Sequence, residues 1–193
     1  MNGQKNWEDF YTKNNRFHLE PHPFFPSVVN VFKAHGVVSV LDLGCGSGRH
    51  LIPLAENGFD VQGLDFSPAA VDTAQKWLQE KNLPGRASIA DIHQEIKAFS
   101  DASFDGVFAV DSLSYQSTTE FIETLSQINR LLRTGGLLFL VVPSKLAPKQ
   151  EYFKQFHFNE EALKLALQDT FKILEMRLDQ DNHFSVIGQE IPS

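Results

Sequence analysis

Asp42 ends an apolar run and is followed by Gly44, Gly46 and Gly48 within residues 40–50, VLDLGCGSGRH. A carboxylate beside closely spaced glycines suits the holding of a small ligand against bare main chain, because glycine takes positive φ and lets another molecule come close. Amides opening the next helix would add donors at the edge of a sheet. A dinucleotide loop G-x-G-x-x-G does not fit: from Gly44 it needs Gly or Ala where Arg49 stands, and from Gly46 where Leu51 stands. A phosphate-cradling Gly-Lys-Ser or Gly-Lys-Thr is also missing, since Gly48 precedes Arg49 and His50.

After the loop, short apolar runs alternate with amphipathic stretches, the pattern of helices covering both faces of a parallel sheet. Strands are expected at 39–43, 61–65, 86–90, 104–110 and 137–142. The last, LLFLVV, lacks polar alternation and belongs mid-sheet. Ser67 and Pro68 open a helix that reaches about Lys81, with Gly85 beyond it. A second helix starts at Thr118 or Thr119 and is expected to stop at Gly135 and Gly136. Asn159, Glu160 and Glu161 open a third, with Leu163, Ala166 and Leu167 on one side. It leads into a strand at 171–178, which the polar cluster Asp179 to Asn182 separates from another at 183–189, an antiparallel hairpin. The expected fold is thus a doubly wound α/β sheet of about seven strands, mostly parallel, closed by that hairpin. Residues 1–36 and 143–158 are aromatic and poor in periodicity. Their rings either cover sheet edges or wall a substrate pocket at the ligand end.

A chain of 193 residues fits one domain, read as an N-terminal arm or helix over 1–36 that covers the ligand and substrate end and a ligand-binding domain over 37–193. A formal charge of −7, with no Lys/Arg block, argues against nucleic acid or an anionic membrane as the main partner. The single cysteine, Cys45, and the lack of an apolar leader point to the cytoplasm. A monomer or weak dimer is expected. His18 and His22 have metal-like spacing, but Pro21 between them opposes a regular helix, so no metal is expected. Cys45 reads as a small filler between glycines and His50 as a helix-surface residue.

The D-x-G-x-G-x-G of Asp42, Gly44, Gly46 and Gly48 resembles motif I of the class I S-adenosylmethionine-dependent methyltransferases, which have a Rossmann-like fold. Further parts of the family pattern follow in order over about residues 39–142: Asp65 ending the second strand, Ala90 and Asp91 ending the third, FDGVFAVDSLSY over 104–115, and LLRTGGLLFLVV over 131–142. The resemblance implies S-adenosylmethionine as cofactor. It implies that Asp65, with Phe66 beside it, bonds the ribose hydroxyls, that Asp91 takes the adenine amine with Ile92 on the ring, and that Asp42 faces the methionine amino group. Gly44, Cys45, Gly46, Gly48 and Val110 complete that set. Asp65 and Asp91 could instead cap the helices that follow them, and Asp42 could serve only to order the turn.

Methyl transfer from a sulfonium is an in-line displacement that needs alignment more than covalent help. A hydroxyl acceptor would need a general base, for which Asp111 and His157 are the candidates. Tyr11, Phe17, Ser112, Tyr115 and His157 are expected to line the substrate pocket. The chain lacks the Asn/Asp-Pro-Pro-Tyr signature of amino-group methylators of DNA bases and glutamine, which favours a small-molecule acceptor. Residues 48–50 and the Trp7 to Pro21 arm are similar to small bacterial methyltransferases of the tellurite-resistance type. A non-catalytic S-adenosylmethionine-binding module and an aminopropyl transferase are the alternatives on the same fold.

Overall fold

The computed structural model describes residues 2–14, 16, 20–149 and 155–192. Strands lie near the apolar runs: β1 (Ser39–Leu43), β2 (Asp60–Asp65), β3 (Arg86–Ile89), β4 (Phe104–Val110) and β5 (Leu132–Pro143), followed by β6 (Phe171–Leu178) and β7 (His183–Glu190). They form one seven-stranded sheet in the order β3-β2-β1-β4-β5-β7-β6. Parallel pairing holds for β1 with β2, β2 with β3 and β4 with β5, and β7 runs antiparallel to both β5 and β6. This is the expected α/β class, mostly parallel with an antiparallel C-terminal hairpin.

The chain divides into two compact units, Met1–Glu95 and Ile96–Ser193. In the first, α3 (Leu51–Glu56) and α4 (Pro68–Glu80) pack on β2, α4 also packs on β3, and α1 (Asn2–Lys13) packs on α4. Ser67 caps α4 as expected, its Oγ accepting from the Ala70 amide at 3.2 Å. In the second unit, α6 (Thr118–Leu131) packs on β5 and α7 (Glu160–Leu167) on β6. Leu137 to Val142 are almost completely buried, as the unbroken apolar run of a strand flanked on both edges requires. Asn159 caps α7 through Oδ1 to the Ala162 amide at 2.7 Å, and Leu163 and Leu167 are buried beneath it.

Two expectations are corrected. The first aromatic stretch, read as poor in periodicity, carries α1 and α2 (Phe25–Ala34) among its described residues. On α1, Trp7, Phe10 and Tyr11 recur at i, i+3 and i+4 and their rings meet at 5.6–5.7 Å. On α2, Pro26 sits in the first turn and Val28, Val29 and Phe32 are buried. The second correction concerns α6, which ends at Leu131 and not at Gly135 and Gly136. Leu132 is already extended and pairs with Phe104, so the sheet ladder takes the chain four residues early. The glycines then bend β5, Gly135 with φ +79° and Gly136 where a Cβ would meet the Arg133 carbonyl at 2.8 Å.

Ser117 and Glu120 form a capping box at the start of α6, just after a 3₁₀ turn at Leu113–Tyr115. Ser117→Ala removes the side-chain acceptor for the Glu120 amide and is expected to lower stability by about 1 kcal/mol, read as a lower urea midpoint.

Candidate functional site

In the Met1–Glu95 unit, three carboxylates line up at the carboxyl ends of neighbouring strands. Asp42 pairs with Gly63 across β1 and β2, Asp65 pairs with Ile89 across β2 and β3, and the Asp65 carbonyl accepts from the Ala90 amide at 2.8 Å, just before Asp91. The glycine loop is fastened over these ends, with the Gly44 and Cys45 amides both donating to the Leu64 carbonyl at 2.8 and 3.1 Å. Asp65 holds it from below: Oδ2 accepts from the Gly46 amide and Oδ1 from the Ser67 amide, each at 2.9 Å. Gly46 has φ +52°, and a Cβ there would lie 2.6 Å from the Tyr11 hydroxyl, so α1 lies against the loop. Gly63 on β2 has the opposite purpose. A Cβ on it would meet Cys45 Sγ at 2.7 Å, so this strand position is kept bare for the loop's cysteine.

Burial governs the electrostatics. Asp42 is 2% exposed, and loss of solvation, with the Asp65 charge second, raises its pKa from 3.8 to about 7 against the pull of Arg49 and of a hydrogen bond from the Leu51 amide. Its Oδ2 is buried with no partner. Burial also raises Asp65, offset in part by the Ser67 and Gly46 amides and reinforced by Glu8. Cys45 is buried, and desolvation followed by the two carboxylates pushes its thiol up. Phe66 and Ile92 are half-buried beside the acidic strand ends. Asp91 is exposed and caps α5 (Ile92–Ala98), Oδ1 accepting from the His93 amide at 2.9 Å, which leaves its remaining lone pairs available.

His50 is not a helix-surface residue. It is 5% exposed, and its Nε2 accepts from the His22 amide at 3.1 Å, while His22 Nδ1 accepts from the Phe24 amide at 3.2 Å. Burial first, then Arg49 and His22, push His50 well below the usual imidazole range. Arg49 Nε donates to the Glu20 carbonyl at 2.9 Å, so residues 20–24 clasp the end of the loop. Glu8 was not singled out by the sequence; its carboxylate accepts from Ser67 Oγ and, at 3.4 Å, from the Ala69 amide in the first turn of α4. Only the Trp7, Phe10, Tyr11 spacing could have signalled the helix that delivers it. Phe17, His18, Tyr152 and Phe153 lie outside the described residues. Among the described residues no cluster of three His, Cys, Asp or Glu side chains could hold a metal ion, and no helix is long and apolar enough to cross a membrane.

The Ile96–Ser193 unit gathers the other named residues. Val110 is buried at the end of β4, and Asp111 follows with φ +56°, unusual for a residue with a side chain. Ser112 Oγ is buried with no partner. Tyr115 accepts from Gln155 Nε2 at 2.9 Å, and burial with the Asp111 charge raises its phenol well above the ordinary range. His157 Nδ1 lies 2.9 Å from the Ser144 carbonyl, which can only accept, so Nδ1 carries the proton and Nε2 is the acceptor of the neutral ring. Of the flanking aromatics, Phe158 is buried against Phe121 at 4.7 Å and Phe156 stays exposed. His183, also unmarked in the sequence, places Nε2 3.7 Å from Asp111 Oδ1.

The family described as a methyltransferase domain matches residues 40–136. An O-methyltransferase of Aspergillus sclerotiorum is 28% identical over 155 residues, 74% of this chain and 58% of that protein. This chain spans less than two thirds of the length of the first curated relatives it matches. Among solved structures, the 1,6-didemethyltoxoflavin-N1-methyltransferase of Burkholderia thailandensis, with its substrate and S-adenosylhomocysteine bound, superposes with TM-score 0.78 at 18% identity over 98% of this chain and 87% of that one. The magnesium protoporphyrin IX methyltransferase of Synechocystis with S-adenosylmethionine bound gives TM-score 0.67 at 28% identity, covering 88% and 78%.

The raised Asp42 predicts a pH signature. Between its unfolded pKa of 3.8 and its folded value of about 7, the folded chain holds a proton that the unfolded chain has lost. Its contribution is therefore full below the unfolded value and lost as pH rises through the folded one. Asp42→Asn is expected to flatten the fall of stability over that window by up to about 1.4 kcal/mol per pH unit, measured by denaturant titration of the ligand-free protein.

Proposed function

We propose, for a chain that belongs to the methyltransferase-domain family, that it binds S-adenosylmethionine at the strand ends of the Met1–Glu95 unit and passes a methyl group to a small-molecule acceptor by direct in-line displacement. The observation that carries the reading is the buried, partnerless Oδ2 of Asp42 beneath the glycine loop, a site that asks for a cationic donor. The α-ammonium of the cofactor supplies one, directly or through water. The Gly46 and Ser67 amides, with that of Phe66 adding to them, fill part of the acceptor capacity of Asp65, and the remainder suits a ribose diol. Asp91 takes the adenine amine with its free lone pairs, with Ile92 against the ring. Tyr11 on Gly46 and Glu8 on the first turn of α4 support a covering role for the N-terminal arm.

When bound, the cofactor supplies an activated methyl group on a sulfonium, with a neutral thioether as leaving group. The chain's own residues hold and align. Near-attack alignment can account for roughly 7 to 11 kcal/mol of the barrier. The single cysteine, Cys45, buried as a thiol, suits a reducing cytoplasmic setting.

Calorimetry with S-adenosylmethionine, S-adenosylhomocysteine and NAD tests the reading. Both adenosyl ligands are expected to bind, and binding of NAD alone overturns it. Asp65→Ala is expected to weaken the cofactor by about tenfold to a hundredfold through lost charged hydrogen bonds, and unchanged affinity removes Asp65 from the site.

A further inference from the structure

Three unusual features converge at the ends of β4, β5 and β7 in the Ile96–Ser193 unit. Asp111 leaves β4 in the left-handed region, its amide donating to the Val141 carbonyl at 3.1 Å. Such strain in a side-chain-bearing residue gathers where it serves a site. Val141 is the cross-strand partner of Ser185, and His183 stands two residues before Ser185 on the same face of β7. Ser185 is 1% exposed and its Oγ has no partner, as is true of Ser112 Oγ. Ser185 on this register and Ser112, next in the chain to Asp111, thus offer two buried hydroxyls that a ligand's polar group would satisfy.

His183 is set in place with unusual care. Asp179 Oδ1 accepts from the His183 amide at 2.8 Å and from the Asp181 amide at 2.9 Å, and Asn182, at φ +61°, completes the turn. The Ser144 amide donates to the Asn182 carbonyl at 2.9 Å, fastening the turn to the end of β5. The ring's Nδ1 lies 3.1 Å from the Asp181 carbonyl and must be the protonated nitrogen, so the neutral ring presents a lone pair at Nε2. That lone pair faces Asp111 Oδ1 at 3.7 Å, too long for a direct hydrogen bond, and both side chains keep access to solvent, 24% and 37%. Nε2 and the Asp111 carboxylate thus stand side by side at the strand exits, and a hydroxyl brought there finds an acceptor in the imidazole.

We propose that Asp111, Ser112, His183 and Ser185 form the acceptor subsite for a phenolic or enolic hydroxyl, with His183 Nε2 taking the hydroxyl proton. This rests on the S-adenosylmethionine reading above. The acceptor oxygen gains the methyl group as its O–H bond breaks and the proton passes to His183; the electron pair of the S–CH3 bond stays on sulfur. An imidazole matches hydroxyls of this acidity and not simple alcohols. Ser112 and Ser185 hold the polar edge of the acceptor.

The test uses the full chain saturated with S-adenosylhomocysteine and two probes, catechol and its fully methylated counterpart veratrole. Catechol is expected to bind and veratrole to bind about tenfold or more weakly, because only the first has a proton to offer. Ser185→Ala and Asp111→Asn are expected to weaken catechol by about fivefold or more while S-adenosylhomocysteine affinity stays within about twofold. Asparagine keeps the shape and tolerates the left-handed backbone, so Asp111→Asn remains informative should His183→Asn fold poorly. With S-adenosylmethionine and catechol, His183→Asn is expected to lower kcat by about 100-fold or more with KM within about threefold. Equal binding of catechol and veratrole overturns the subsite, as does unchanged kcat in both His183→Asn and Asp111→Asn, or a protein that holds S-adenosylhomocysteine and ignores catechol. A protein that does not hold S-adenosylhomocysteine overturns the cofactor reading and the subsite with it.

Discussion

The ligand end of the Met1–Glu95 unit depends on one buried carboxylate. Asp65 reaches from the end of β2 to the Gly46 amide on one side and the Ser67 amide on the other. Each such bond to a charged acceptor contributes roughly 1.5 to 3 kcal/mol, enough to offset much of the desolvation that raises its pKa. The loop above, the cap of α4 beside it and the neighbouring Asp42 all take their positions relative to this group. Asp42 lies near enough to feel its charge and is left with an oxygen unanswered. Two acids under one loop, both raised by burial, give this end of the sheet an acidic lining.

The Ile96–Ser193 unit solves a different problem, that of presenting polar side chains from a nearly all-apolar β5. It does so at the strand exits. The left-handed turn at Asp111 and the tight turn before His183 bring a carboxylate and an imidazole to the ends of strands whose interiors are sealed. Phe158, packed on Phe121, anchors the stretch that returns His157 to the Ser144 carbonyl and Gln155 to Tyr115.

What the sequence revealed was what short range determines. The residues 40–50 motif, the helix openings at Ser67 and Asn159 and the hairpin turn all follow from neighbours within four residues, and all are found near where they were expected, while the capping box at Ser117 lies one residue before the expected helix start at Thr118 or Thr119. The helices α1 and α2 were hidden by three prolines and a dense run of aromatics, even though Trp7, Phe10 and Tyr11 keep helical spacing. The end of α6 was misplaced because a long-range ladder with Phe104 overrides the local stop signal of two glycines. The pairing of His50 with His22 spans 28 residues, and that of Asp111 with His183 joins β4 to β7. Periodicity carries no information at such separations.

Gly63 and Cys45 illustrate how this architecture constrains its own variation. The strand position is bare because the loop's thiol occupies the space a Cβ would need. A side chain at 63 would meet Cys45 Sγ at 2.7 Å, Cys45 Cβ at 2.9 Å and Leu51 Cδ1 at 3.1 Å, so trimming Cys45 to alanine does not by itself make room for it. Position 63 therefore stays bare for as long as the loop carries any side chain at 45, and the two positions form a single unit for variation or design.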